Sequence, residues 1–347
     1  MEAVQPMPAW QRWWARYGTI SLVGGGILIL VLISYANNPI VTQAVLSSTL
    51  RQATPLILGA LCGLLGERSG VINIGIEGQM LMSAFVGFLA NVWLSSIPEL
   101  GYAPRLILAV LFAVLAGAVL GSLLAFMSVT LKIDQIIGGT VINILALGIT
   151  GFFYTVGVTT GGKLQHIPLG PLADIPLIGP VIFDNPPITY STILLVFVVH
   201  YVLFHTRWGL RTRAVGEHPR AADTLGVNVY TIRYVNVIAG GMLAGLAGAF
   251  LTLEAVGSFE RAMTNGRGFV ALAVTIFGNY TPLGAWGAAL LFGFATAIQT
   301  QLQFGGTIKI PHQFIGMLPY VLTIVVLAGF VGRTRVQAAD GKPYEKE

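Results

Sequence analysis

Apolar runs, each near the length of a membrane-crossing helix, follow one another almost without pause along this chain. A bilayer core calls for roughly 20 mostly apolar residues per helical crossing. Ten runs meet or approach that length: Tyr17–Ala36, Thr42–Leu65, Val71–Leu94, Pro104–Leu131, Gln135–Val158, Ile188–Thr206, Thr231–Leu253, Gly268–Tyr280, Leu283–Phe304 and Gln313–Val331. The eighth is too short to cross by itself unless the chain turns deep in the protein at Tyr280–Leu283. Arg12 and Arg16 ahead of the first run resemble the basic start of a signal peptide. That run has full helix length, however, and ends at Asn37-Asn38-Pro39 without a small-residue cleavage site, so an uncleaved first helix is expected.

Composition agrees with an all-α, polytopic membrane protein. Charged residues make up 10% of the 347 and the mean hydropathy is +0.78, whereas a soluble domain carries about 25% charged residues. An ordinary cytosolic enzyme is excluded, and so is disorder, which needs low hydrophobicity and high charge. Cys62 is the single cysteine, which excludes a disulfide framework and a cysteine-based metal cluster. A net charge of +5 spread thinly over so much apolar sequence makes no nucleic-acid patch.

Basic residues instead orient the chain, because cytoplasmic loops carry the excess of Lys and Arg. With the N-terminus in the cytoplasm and ten crossings, the inner side holds 13 of the 19 basic residues, from Arg12 and Arg16 through Arg207, Arg211, Arg213 and Arg220 to Lys346. The outer side holds five (Arg105, Lys163, Arg261, Arg267 and Lys309), and Arg51 lies within a span. Both termini are therefore expected in the cytoplasm: a segment 1–16, a transmembrane domain 17–331 with a cytoplasmic loop 207–230, and a tail 332–347. Spans two to five and seven to ten form a possible inverted repeat. Glu67-Arg68-Ser69-Gly70 and a glycine-rich helix start follow span two; Glu260-Arg261, Asn265-Gly266-Arg267-Gly268 and another such start follow span seven. Chance is the competing account of so short a match.

The charged loop between spans six and seven carries helix signals. Pro219 suits a first helical position, Gly226 a left-handed stop and Asn228 the cap of the next span. A two-turn helix, Pro219–Leu225, is bracketed on the cytoplasmic side. It reads either as a solvated interfacial helix or as a docking helix whose alanines allow close approach.

Residues Ala214–Asn228 resemble the coupling segment of ABC importer permeases. Gly66-Glu67-Arg68-Ser69-Gly70-Val71-Ile72-Asn73-Ile74-Gly75-Ile76-Glu77-Gly78 resembles the signature of the permeases for simple sugars, nucleosides and branched-chain amino acids. Ala214–Asn228, Gly257–Gly278 and Gly341-Lys342-Pro343-Tyr344 are similar to nucleoside permeases that work with basic-membrane-protein-type substrate lipoproteins. The likeness covers roughly residues 45 to 345.

That resemblance implies a permease of the bacterial cytoplasmic (inner) membrane that moves nucleosides inward by ATP-driven alternating access. It implies a second, related permease, a separate ATPase with two nucleotide-binding domains, and an extracytoplasmic substrate-binding lipoprotein. Glu217, Pro219, Arg220, Ala221, Ala222, Asp223 and Gly226 would form the ATPase coupling element. A simple-sugar importer is the alternative within the class. An ion-coupled secondary transporter is the alternative outside it, with Glu77 as its one deep carboxylate.

Polar groups retained in the spans mark pathway candidates, since a charge there costs at least about 2.5–3.5 kcal/mol. Arg51 reads as a structural pair with Glu77 or a helix-end carbonyl, or else as a substrate contact. Glu77, next to Gly75 and Gly78, either braces a broken helix or accepts hydrogen bonds from ribose hydroxyls. Asn73 and Asn143 fit interhelical bonds or a substrate edge, and Gln299 shares a helix face with Gln303. Phe152, Phe153 and Tyr154 offer a stacking surface or plain packing. Glu254, Glu260, Arg261 and Arg267 gather on the outer side, where a lipoprotein would dock or a loop would simply be solvated. The five histidines lack metal-ligand spacing, and no catalytic constellation or cofactor site is expected. Gly157–Leu164 nearly spells a phosphate loop, but Leu164 stands where the Mg²⁺-binding Ser or Thr belongs.

Overall fold

A computed structural model describes residues 29–97, 99–159, 162–304 and 335–346, together with 314, 316, 317 and 321. Helix α1 (29–37) is the part of the first apolar run among these residues, and most of the tenth run lies outside them. Asn38 then caps α2 (Pro39–Glu67), its Oδ1 accepting from Val41 N at 3.2 Å, with Pro39 in the first turn where a missing N–H costs nothing. The others are α3 (Ile76–Ser95), α4 (Tyr102–Ala125), α5 (Gln135–Phe153), α6 (Pro187–His205), α7 (Arg207–Glu217), α8 (Pro219–Thr224), α9 (Val229–Ala249), α10 (Arg267–Phe277) and α11 (Pro282–Phe304). Wider π turns extend α4 over Phe126–Thr130 and α9 over Phe250–Val256.

Among the described residues, six helices are long and apolar enough to cross a membrane: α3, α4, α5, α6, α9 and α11, two of them with their π extensions. Helix α2, 29 residues long, is not one of the six; Arg51 and Gln52 interrupt its first half. Where ten runs are expected from sequence, the described residues show six spans, a long central helix and the short α10. The third run begins later than its hydropathy suggests. Residues 68–75 form a non-helical connector, with Ile72 N donating to Gln135 Oε1 at 2.7 Å. The fifth run stops at Phe153 rather than Val158, because Tyr154 is extended. The eighth ends in a turn at Gly278–Thr281, where Asn279 and Tyr280 adopt positive φ.

Helix α2 is the axis of the bundle. Every residue from Ala53 to Glu67 is buried, enclosed by α6, α9, α10 and α11. Lipid tails are as apolar as leucine, so close backbone approach rather than hydrophobicity holds such helices together. Gly117 and Gly121 of α4 face Gly241 and Gly245 of α9, and a Cβ at Gly117 would strike the Gly241 carbonyl. Helix α10 leans on α2 in the same manner: Ala271 sits over Gly59, and Thr275 Oγ1 donates to Ala60 O at 3.1 Å. Between α5 and α6, a two-stranded antiparallel ribbon pairs β1 (Ile167–Pro168) with β2 (Asp184–Asn185).

Candidate functional site

At the Asn38 end of α2, the bundle opens into a cavity of about 1050 Å³ lined by both polar and apolar side chains. Its walls are the first half of α2 (Ser47, Ser48, Arg51, Gln52, Pro55), residues 163–166, the π turn of α9 and the loop before α10. Pro55 has no N–H to give the carbonyl of Arg51 one turn earlier. Such a gap in a membrane helix is tolerated where it borders a hydrated space.

Arg51 is exposed on this wall, and its Nη2 lies 3.1 Å from His166 Nε2. A guanidinium only donates, so His166 Nε2 must accept and the ring proton sits on Nδ1. Nδ1 then donates to the Asp184 carbonyl at 3.0 Å, which ties the ribbon to α2.

Two carboxylates hold helix starts around the cavity. Glu254, in the π turn, is 5% exposed and accepts from Ile188 N (2.7 Å), Thr189 N (3.1 Å) and Thr189 Oγ1 (2.6 Å). Glu77, in the first turn of α3, accepts from Gly266 N (2.8 Å) and Gly268 N (2.6 Å). The first N–H groups of a helix lack intrahelical partners and carry the positive end of its dipole, so a carboxylate answers both needs. Gly266 holds φ 79°, where a side chain would be strained, and a Cβ at Gly268 would strike the Glu77 backbone at 2.5 Å.

The cavity brings together Arg51, Glu254, Glu260, Arg261 and Arg267. Glu260 and Arg261 are exposed, and Arg267 Nη1 donates to the Met263 and Thr264 carbonyls at 3.1 and 3.3 Å. Asn73, Glu77, Asn143 and Gln299 do not line it. Asn73 Nδ2 donates to Cys62 Sγ (3.3 Å) and Gln79 Oε1 (3.0 Å). Asn143 Oδ1 accepts from Gly78 N (2.7 Å) while its Nδ2 donates to Ile74 O (3.0 Å), so α5 caps the start of α3. Gln299 is half-buried in α11. Phe152 and Phe153 project outward, 82% and 61% exposed, and Tyr154 lies under the Arg261 guanidinium.

The opposite end of the bundle carries α7, α8 and the tail 335–346. Thr206 caps α7, its Oγ1 accepting from Gly209 N at 3.2 Å. Gly226 closes α8 at φ 80°, and Asn228 Oδ1 caps α9 at 3.0 Å from Thr231 N. Arg220, Ala221 and Glu217 are exposed, but Ala222 is 4% exposed and packs with Val215, Val229, Ile232 and Tyr344. The tail is bound from several sides. Ala339 N donates to Gly216 O (2.9 Å), Ala338 N to Glu217 Oε2 (3.3 Å), and Lys346 Nζ lies 3.7 Å from Asp223 Oδ1.

Two arginines anchor the connector between α2 and α3. Arg68 donates from Nε (2.8 Å) and Nη2 (2.6 Å) to the Tyr280 carbonyl in the turn after α10. The Phe204 ring lies between the Arg68 and Arg213 guanidiniums, 5.6 and 5.1 Å from its centroid. Arg233, 1% exposed, donates to Ser69 O (3.2 Å) and Lys342 O (3.0 Å). Burial beneath the tail pushes the Asp340 carboxyl up to about 6, against the opposing pull of the Gly341 N–H and the Arg233 guanidinium.

Helix α7 and the tail's packing went unread in the sequence. Thr206, three residues before Gly209 in a Thr-Arg-Trp-Gly start, is the signal that marks α7; the tail offers only Tyr344, an aromatic among charges.

Comparison with known proteins gives three findings. The family described as branched-chain amino acid transport system, permease component, matches residues 45–327. The chain is 40% identical to the guanosine ABC transporter permease protein NupQ of Bacillus subtilis over 88% of its length and 98% of that protein. It is 38% identical to the nucleoside ABC transporter permease protein NupC of Lactococcus lactis over 88% and 97%, and 34% identical to the putative glucose ABC transporter permease protein TsgC13 of Haloferax volcanii over 83% and 92%.

Proposed function

The chain belongs to the family of branched-chain amino acid-type transport-system permeases, and from that premise we propose that it is a permease subunit of an ATP-driven importer carrying nucleosides into the cytoplasm. The observation that carries the nucleoside reading is the 40% and 38% identity, across nearly the full length of both partners, to permeases named for guanosine and for nucleosides. In this reading the protein crosses the bacterial cytoplasmic membrane ten times with both termini inside. The cavity then opens outward, and α7, α8 and the tail face the cytoplasm. The basic residues Arg207, Arg211, Arg220 and Lys342 at the α7–α8 end agree with that side. Spans two to five and seven to ten are inverted copies; the shared sequence of long helix, break and glycine-capped start in α2–α3 and α9–α10 supports this.

Substrate arrives on an extracytoplasmic lipoprotein that docks at Glu260 and Arg261 beside the cavity. Arg51 and Arg267 meet it there. Hydroxyls of ribose are donors and acceptors, and a wall of Ser47, Ser48, Gln52 and Arg51 matches them. Glu77, Asn73 and Asn143 set the broken helices in position, Gln299 lines the inner part of the pathway, and Glu254 fixes the cavity rim. ATP is hydrolysed by a separate subunit with two nucleotide-binding domains, which engages Arg220 and Ala221 and drives this permease together with a related second one. Mass spectrometry of the complex, purified in mild detergent through a tag on this chain, tests the reading. An ATPase, a second permease and a lipoprotein in fixed ratio support it. A chain that emerges alone and moves substrate under an ion gradient overturns it.

A further inference from the structure

Beside α8 lies a groove of about 570 Å³ with walls from two distant parts of the sequence. Pro219, Arg220 and Ala221 form one wall, and Ala338, Lys342 and Pro343 of the tail form the other. Ala221, Ala338 and Pro343 are exposed, so the groove presents a small apolar floor to solvent. Arg220 and Lys342 on its rim are basic, and Glu345 beside them is acidic.

The tail wall is fixed rather than draped. Tyr344 is 6% exposed, inserted among Val215, Ala222, Val229 and Ile232, with its ring 5.5 Å from that of Tyr230. Arg233 holds the Lys342 carbonyl, and Gly216 holds the Ala339 N–H. A rigid, preformed concavity loses less entropy on binding than two independent segments would.

We propose that α8 and the C-terminal tail form one composite docking platform, and that its occupant is the ATPase subunit. This rests on the reading of the chain as an ATPase-coupled permease. The groove is continuous with the face of α8 assigned to the ATPase, and the tail wall locked onto that helix extends the same face. Because the tail is bonded to Gly216, Glu217 and Arg233, load on the groove is shared between α7, α8 and α9 instead of falling on six residues of α8 alone.

The test uses the full complex pulled down through an N-terminal tag, with the ATPase-to-permease ratio read by mass spectrometry for Ala221→Trp, Ala338→Trp and the double variant. Both positions are exposed, so neither substitution disturbs packing; Lys342→Glu, also exposed, carries the same prediction should Ala338→Trp yield no folded permease. Either single variant is expected to lower ATPase retention at least tenfold while the permease pair stays intact, and the double variant to fall no further than the stronger single one. Loss with Ala221→Trp but wild-type retention with both tail variants overturns the composite platform and leaves the ATPase reading standing. Absence of any ATPase from the unaltered complex removes the reading itself.

Discussion

The two ends of the bundle solve one problem with opposite charges. At the cavity end, helix starts expose N–H groups, and Glu77 and Glu254 accept from them. At the α7–α8 end, turns expose carbonyls, and Arg68 and Arg233 donate to Tyr280, Ser69 and Lys342. Breaks in membrane helices leave backbone groups without a helical partner, and here a charged side chain satisfies one or two of them. Glu77, a costly charge within a span by sequence, is therefore part of the joinery of a chain with interrupted helices, as are Glu254, Arg68 and Arg233. Short α10 is held by both systems, through Glu77 at its start and through Arg68 just past its end.

Removing a carboxylate from the cavity end gives the largest effect. Glu254→Ala orphans two N–H groups and the Thr189 hydroxyl, a loss of at least about 3 kcal/mol, so thermal unfolding in detergent should show a collapsed Tm or no folded yield. Glu254→Gln, which keeps an acceptor, should recover part of it. At the other end, Arg68→Ala exposes one carbonyl and should cost about 2 kcal/mol. Because Arg68 joins the α7–α8 end to α10, that variant should keep ATPase binding and lose transport; equal retention of both would break the comparison.

The pH dependence separates the ends further. Asp340 has an ordinary value of 3.8 and is raised to about 6 in the folded chain. Its neutral form is thus the one that the packed tail favours. The stability this gives is fully present below pH 3.8 and is lost as pH rises through about 6. Arg233 faces the same carboxyl and favours its charge. Intrinsic-rate-corrected hydrogen exchange at Ala339 and Lys342 should slow as pH falls from 8 to 5, by an effect on the order of 1 kcal/mol after screening of a partly exposed group. Asp340→Asn should flatten the profile. Smallest in stability is Arg51→Ala, within about 0.5 kcal/mol for an exposed side chain, yet uptake should fall about tenfold; unchanged uptake would place Arg51 in the ribbon's support alone.

The spans were legible because hydropathy is summed over many residues, and single substitutions hardly alter it. Their ends were less so. Val71–Gly75 is as apolar as the helix that follows, and distant contacts hold it unwound: Gly75 against Gly139, Gln135 on Ile72 and Asn143 on the Ile74 carbonyl. Pro219, Gly226 and Asn228 marked α8 because caps and stops act locally. Asn73 and Asn143, by contrast, have the same composition whether they meet a substrate or a neighbouring helix, and only their partners 6 to 69 positions away distinguish the two. Ala222 was read with Ala221 as a docking residue, yet the rotation of α8 turns it toward Tyr344, a contact that no local pattern announces.

Uptake of a radiolabelled nucleoside into liposomes holding the full complex and its lipoprotein tests the account most directly. The account predicts accumulation that requires internal ATP, survives ionophores, and is competed by unlabelled nucleosides but not by glucose. Uptake that collapses with the ion gradient and ignores ATP would contradict it.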